Sequence, residues 1–374
     1  MDKEGKTFRV RGIPLGWDDE RLESYLQEKF SSSLPTAGSV ALETHRRSLS
    51  GTVSFRETPV DLKGLNPGKP FNLALPRERT ARRAYLSLDA DFLGMTTLFI
   101  PVDEDHRVDI IALPGFSGHA FESFQETDGE YMWLRDALHY DLTSEADDRP
   151  MARVMIYGYE SILAGSQNTQ NIEDLATSLI TSLRSLVTSQ TSRPIIFVAH
   201  SLGGLIVKQA LISLAKSEDE DDKKVIRAVY GVVFFGVPHN GMDISSLIPM
   251  VGDGLNRFIV ESISHINSQI LTIQQREFVK ALGPEGNSEV VCFYETMASP
   301  TAQEDEDGNW TMTGKPTVLV TKSSATHCRP WEDGPQHTCA VARTHLEMIK
   351  FGPNDPGYDN PRERILGLAQ RAVR

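Results

Sequence analysis

A run of apolar, mostly β-branched residues, Pro194-Ile195-Ile196-Phe197-Val198, stops on Ala199-His200-Ser201-Leu202-Gly203-Gly204 and resumes as Leu205-Ile206-Val207-Lys208-Gln209-Ala210-Leu211. The first piece reads as a buried strand and the last as a helix, with one sharp turn between them. Such a turn strains the backbone at its centre and admits only small residues two positions to either side of the serine. Ala199 and Gly203 occupy those positions. Alanine departs from the usual glycine and still meets the steric need. A serine on a turn of this kind stands at the end of the sheet with its hydroxyl offered to a substrate, which makes Ser201 a candidate nucleophile. The competing reading is an ordinary serine in a strand-to-helix loop.

Short apolar segments at 108–113, 153–157, 231–236, 289–294 and 317–321 predict further core strands. Ile172, Leu175, Ala176, Leu179, Leu183 and Leu186 form one stripe of a helix that Asn171 is placed to cap. Strands alternating with helices predict a mostly parallel sheet with helices on both faces. Residues 1–60 read as a separate small α+β unit, with strands at 8–13, 40–44 and 51–55 and a helix over 18–30 capped by Asp18. That β-α-β-β order resembles part of an RNA-recognition-type ferredoxin fold. Its segment 48–55 lacks the stacking aromatics and the basic residue that RNA binding uses, so a packing or protein-interaction module is expected. Residues 61–100, with Pro67, Pro70 and Pro76, read as a connector, and 101–374 as the large domain. The acidic runs 218–222 and 304–307 read as solvated loops.

Charge narrows the function classes. Lys and Arg number 38 against 51 Asp and Glu, for a net charge of −13, so no general basic field draws in nucleic acid. Three cysteines, Cys292, Cys328 and Cys339, do not make a disulfide framework and point to a reducing compartment. No apolar run approaches the length of a membrane span, and residues 1–6 carry no apolar leader. The expectation is an intracellular, cytoplasmic protein with at most peripheral membrane contact. Histidines and cysteines show no zinc spacing, so neither a metal nor a cofactor is expected.

A serine hydroxyl needs a base to take its proton and a third group to orient that base. After a strand-to-helix serine the chain order is Ser, then Asp or Glu, then His. His345, in Arg343-Thr344-His345-Leu346-Glu347-Met348, lies where a late histidine loop belongs, and His337 is the other candidate. Glu295 closes the strand 289–294 at its C-terminal end, facing the crevice where α/β sheets bind ligands; Glu332 and Asp333 are alternatives. Oxyanion donors are expected from the backbone N–H of Leu202 and from the loop Leu113-Pro114-Gly115-Phe116-Ser117-Gly118-His119, with Phe116 as the second donor.

Taken in order, several stretches resemble DUF676-type lipase-like serine hydrolases with the α/β-hydrolase fold. They are Asp109-Ile110-Ile111-Ala112-Leu113-Pro114-Gly115, Trp133-Leu134-Arg135-Asp136, the segments 152–159, 193–208 and 231–241, Phe293-Tyr294-Glu295-Thr296, and 345–358. The family includes serine-active-site lipid-remodelling proteins and the hydrolase modules of fungal NACHT and NB-ARC proteins. The resemblance implies Ser201 as nucleophile, His345 as base and the Phe-Tyr-Glu-Thr glutamate, Glu295, as acid. It also implies peripheral association with endoplasmic-reticulum or mitochondrial membrane. Departures are Pro114 where relatives carry histidine, Ala199 for glycine, Asn240 for arginine, and Thr321 where many relatives carry an aspartate.

The apolar-rich insertion 242–282 reads either as a cap over an acyl chain or as a pair of packing helices. The functional expectation is therefore a serine hydrolase of carboxylic esters, lipid esters in particular. The alternative is a catalytically inactive hydrolase fold used for signalling or protein contacts.

Overall fold

The computed structural model of the chain describes residues 6–374 except 32, 44–46, 66–67, 77–83, 117, 147, 162–168, 188–191, 246–256, 266–268, 285–286 and 305–309. Its larger sheet has seven strands in the order β14-β11-β10-β9-β7-β8-β6. They are β6 (Gly94–Phe99), β7 (Val108–Leu113), β8 (Ala152–Gly158), β9 (Ile195–His200), β10 (Val229–Phe235), β11 (Glu289–Glu295) and β14 (Thr338–Val341). All pair in parallel except β6, which runs antiparallel to β8. This is the α/β-hydrolase fold.

The strands are apolar on both faces because both faces are covered. Along β9, Ile195, Phe197 and Ala199 enter one core, under the helices Ile172–Val187, Leu202–Lys216 and Gln269–Ala281. Ile196 and Val198 enter the other, with Trp133 and the helix Asp359–Ala372. Asn171 caps the helix Ile172–Val187 through Asp174 N–H at 2.8 Å. After β7 the chain crosses to β8 on one side, then returns to place β9 on the other side of β7. The order of strands thus reverses between β7 and β9, and a crevice forms beyond their C-terminal ends. Register brings Leu113, Ala199, Phe234 and Cys292 level, so the loops after these strands converge.

The N-terminal unit is a five-stranded antiparallel sheet in the order β2-β3-β1-β5-β4. Its strands are β1 (Thr7–Ile13), β2 (Pro35–Leu42), β3 (Leu49–Phe55), β4 (Phe71–Ala74) and β5 (Tyr85–Asp89). The helix Asp19–Lys29 covers one face, with Asp18 accepting from Arg21 N–H at 2.9 Å. Phe8, Val10, Leu22, Leu26, Val53, Leu86 and Leu88 fill the core between. The opposite face carries Arg9, Ser50 and Thr52, all buried. Arg9 donates to Leu93 O at 2.8 Å and Thr96 Oγ1 at 2.9 Å of the hydrolase domain, and to Asp89 at 3.0 Å. The sheet face that reads RNA in RNA-recognition folds is here packed against protein.

Three expectations need correction, and one open alternative is narrowed. The stretch 61–100 is not a featureless connector: β4 and β5 complete the small sheet, with Leu88 opposite Val10, and β6 joins the large one. Its prolines flank these short strands rather than interrupt them. Residues 317–321 form no core strand; the sixth parallel position belongs to β14, and Thr317 ends a hairpin of β12 (Ser299–Glu304) and β13 (Trp310–Thr317). The acidic run 218–222 opens a helix, Glu220–Ala228, where Asp219 caps the first N–H groups and Asp222 binds Arg184 at 2.7 and 2.9 Å. Of the second run, residues 305–307 lie outside the described residues. In the insertion 242–282, Leu271 and Phe278 pack into the core and Gln274 donates to Leu205 O, so this part packs rather than caps. Leu247, Ile248, Met250, Val251, Leu255 and Ile266 lie outside the described residues.

Candidate active site

Ser201 begins the turn after β9 with φ 49° and ψ −124°, a left-handed conformation rare for a side-chain-bearing residue. Its surroundings hold it there. Ser201 N–H donates to Phe235 O at 2.9 Å. A Cβ on Gly203 would stand 2.3 Å from Pro114 O, so only glycine fits. Ser201 precedes the helix Leu202–Lys216 but its hydroxyl does not cap it, which leaves Oγ free for another partner. That partner is His345, whose Nε2 lies 2.9 Å from Ser201 Oγ.

His345 arrives on the loop after β14. Its Nδ1 lies 2.5 Å from Glu295 Oε2. A carboxylate only accepts, so Nδ1 carries the proton and Nε2 presents a lone pair to the serine hydroxyl. Glu295 closes β11, and its second oxygen accepts Leu319 N–H at 2.8 Å and Val320 N–H at 3.0 Å. All three side chains are nearly fully buried, at 4, 3 and 2% exposure for Ser201, His345 and Glu295. Little water competes for these bonds, which strengthens each of them.

The other candidates lie elsewhere. His337 stands at the N-terminal end of β14 and bonds Val290 O at 3.0 Å, in the first half of β11, whereas the triad gathers at the C-terminal end of that strand. Glu332 is buried in an ion pair with Arg329 and accepts Val290 N–H at 2.8 Å. Asp333 is exposed. Thr321 caps the short helix Lys322–Ala325, so no acid is required at that position for His345 to be oriented.

Several supporting residues were not anticipated. His200, between the strand and Ser201, donates from Nε2 to the carbonyl of His345 at 2.9 Å. Burial and the neighbouring His345 hold the His200 ring well below its ordinary pKa, so it stays neutral and keeps this bond. Tyr159, its phenol pushed upward by burial, donates to Pro114 O at 2.9 Å and Gly115 O at 3.1 Å. These bonds shape the loop after β7. Gly115 lies against the nucleophile: a Cβ there would meet Ser201 Cβ and His200 Nδ1 at 2.8 Å. Ser299 Oγ accepts His345 N–H at 3.1 Å. His200 has a signal in the sequence, its place inside the turn motif, and so does Gly115, in the glycine-bearing loop after β7; Tyr159 and Ser299 have none. A cleft of about 300 Å³ opens next to His200 and Gly115, lined on one part by Phe116, Leu346 and Ile349 and on another by Glu122, Glu347 and Lys350.

Fold and site together define an esterase-type α/β-hydrolase. Comparison narrows this: residues 133–279 match the family described as "Putative serine esterase (DUF676)". Over that stretch the chain is similar to DUF676-type, lipase-like serine hydrolases. The chain is 29% identical over 151 residues to Protein SERAC1 of Danio rerio, covering 36% of this chain and 22% of that protein. It is 25% identical over 207 residues to Protein SERAC1 of Homo sapiens, covering 51% and 30%. The matches thus span less than a third of these relatives' length. Among solved structures, the mature Bacillus licheniformis lipase BlEst2 aligns over 73% of this chain and 97% of its own, at 14% identity and a TM-score of 0.43. Among the described residues no helix is long and apolar enough to cross a membrane.

Proposed function

We propose that Ser201, His345 and Glu295 act as a catalytic triad on the esters of lipids. His345 Nε2 takes the Ser201 proton as Oγ attacks the ester carbonyl. Glu295 keeps the ring in the receptive tautomer and stabilises the imidazolium. The N–H groups of Leu202 and Phe116 stabilise the oxyanion, the first as an amide at the start of a helix. His345 returns its proton to the leaving alcohol and then activates a water that frees the acid. The observation that carries this reading is the continuous chain Glu295–His345–Ser201, with contacts of 2.5 and 2.9 Å in a buried setting. The cleft beside the triad offers Phe116, Leu346 and Ile349 to an acyl chain and Glu122, Glu347 and Lys350 to a polar head group, and the lipid assignment rests on the similarity to lipase-like hydrolases.

The test is labelling by a fluorophosphonate, with turnover of p-nitrophenyl esters of rising acyl length. Wild-type protein should label and should prefer medium or long acyl chains. Ser201→Ala should abolish labelling and lower turnover about 10⁴-fold or more. A wild-type protein that neither labels nor turns over any ester would leave the fold as an inactive module. Preference for acetyl over longer chains would remove the lipid assignment while keeping the triad.

A further inference from the structure

In the core under the helices Ile172–Val187, Leu202–Lys216 and Gln269–Ala281, three residues from separate elements converge. His239 follows the end of β10, Cys292 lies within β11, and Cys328 follows the helix Lys322–Ala325. One ring nitrogen of His239 and the two sulfurs all lie within 4.8 Å of one another. All three residues are buried, at 1, 2 and 7% exposure, and both cysteines are free thiols. We propose that His239, Cys292 and Cys328 bind a thiophilic d¹⁰ cation, Zn²⁺ or Cu⁺.

Three observations support the site. First, the spacing: tetrahedral zinc holds its sulfur and nitrogen ligands roughly 3.5–3.8 Å apart, from bond lengths of about 2.3 and 2.0 Å. The three atoms therefore need to close by no more than about 1 Å. Second, His239 Nδ1 is engaged by Lys208 Nζ at 3.2 Å, whereas Nε2 is buried with no hydrogen-bond partner among the described residues. A buried polar atom left unpaired is costly, and an ion ligated through Nε2 would supply the missing partner while Lys208 keeps its bond to Nδ1. Third, the donor set is two sulfurs and one imidazole with no carboxylate. Such a set suits soft cations and not Mg²⁺ or Ca²⁺. On binding, each thiol releases its proton to solvent and its sulfur lone pair forms the bond to the ion, while the ring nitrogen ligates through its own lone pair. No electron transfer is involved.

The site sits directly behind the esterase centre. Cys292 is three residues before Glu295 on the same strand, and the segment leading to Cys328 supplies the Leu319 and Val320 amides that hold that carboxylate. Ser324, on the same segment, donates to Gly241 O at 2.6 Å and accepts Asn240 N–H at 3.1 Å, beside His239. An ion here ties the loop after β10, the strand β11 and the 318–328 segment together. Spacing along the sequence hides this site, because its ligands come from three elements 53 and 36 residues apart, by subtraction of 239 from 292 and of 292 from 328.

The full chain, purified under reductant and stripped with a chelator, should take up one Zn²⁺ per molecule against a chromophoric competitor. Co²⁺ in its place should give sulfur-to-cobalt charge-transfer absorption. An anaerobic Cu⁺ titration against a Cu⁺ chelator decides which ion is preferred. Cys292→Ser, Cys328→Ser and His239→Gln should each weaken binding by more than about 100-fold, beyond what loss of an outer partner gives. Cys339→Ser should not, because Cys339 packs into the opposite core. Failure of reduced wild-type protein to bind either ion, or undiminished binding by Cys292→Ser, overturns the proposal. So does isolation of the protein with Cys292 and Cys328 joined as a disulfide. Should the variants fail to fold, the cobalt spectrum of the wild-type protein decides alone, since its absence shows that no thiolate is bound.

Discussion

Replacing Glu295 by glutamine tests the orientation of the base with almost no change of shape. The carboxylate serves two masters: Oε2 takes the His345 Nδ1 proton at 2.5 Å, and Oε1 takes Leu319 and Val320 N–H at 2.8 and 3.0 Å. Glutamine has one accepting end. With its NH₂ toward the two amides, two buried donors lose their acceptor, at about 1–3 kcal/mol each. With its carbonyl toward them, those bonds survive and the NH₂ faces the imidazole. The second arrangement wins, because the ring needs only to shift its proton from Nδ1 to Nε2. In that tautomer Nε2 no longer accepts from Ser201 Oγ. Wrong-tautomer substitutions of this kind lower kcat about 10⁴-fold, or about 5 kcal/mol at roughly 1.4 kcal/mol per decade. The measurement is the second-order rate of fluorophosphonate labelling of Glu295→Gln against wild type, with a circular dichroism melt to establish folding. A folded variant that labels within about tenfold of wild type would refute the assignment of Glu295 and the tautomer argument together.

Three further outcomes follow from the packing. Gly203→Ala places a Cβ 2.3 Å from Pro114 O, so the loop after β7 must shift; thermal unfolding should show a loss of about 1–3 kcal/mol, and an unchanged melt would mean the turn is not tight. Arg9→Met leaves buried Asp89 with only the more distant Arg11, at 3.7 Å, as ion-pair partner and removes bonds to Leu93 and Thr96; a loss of about 2–4 kcal/mol and early proteolysis between the two sheets are expected, and wild-type resistance would refute it. His139 is stacked against Phe99 with its ring centroid 4.1 Å away, and burial pushes its pKa down to about 4. The unfolded chain therefore binds more protons than the folded one between about pH 6.5 and 4, and stability falls with decreasing pH across that window. The contribution levels off below the folded value, after about 3 kcal/mol. Urea titrations at pH 7 and 5 should show this slope, and His139→Phe should make it shallower without abolishing it, because burial also holds His200 and His239 below the ordinary value.

The hydrolase sheet was legible because its strands are buried on both faces and so read as uninterrupted apolar runs. The seven-residue β10 and the turn at Ser201 needed no tertiary information. β14 escaped because Thr338-Cys339-Ala340-Val341 is four residues long and half exposed at the edge, whereas Thr317-Val318-Leu319-Val320 looks more strand-like and instead offers amides to Glu295. β5 shows an alternation in Leu86 and Leu88, but with only five residues, beyond the proline-bounded β4, it carries too short a pattern to stand out. Roles such as that of Glu332 were not decidable from spacing. Whether a carboxylate meets an imidazole or an Arg329 guanidinium is settled by a contact between distant segments.

The strand β6 lies at the end of the seven-stranded order, and the small sheet packs alongside it through β2 and β3. An uncovered terminal strand of this kind recruits other chains by offering its unpaired backbone. The N-terminal unit thus works as a guard on the large sheet. Cutting the protein back to residues 101–374 would delete β6 and bare β8, a fully buried and mostly apolar strand, to the same hazard. Any study of the hydrolase activity by itself inherits that cost in solubility before a substrate is ever added.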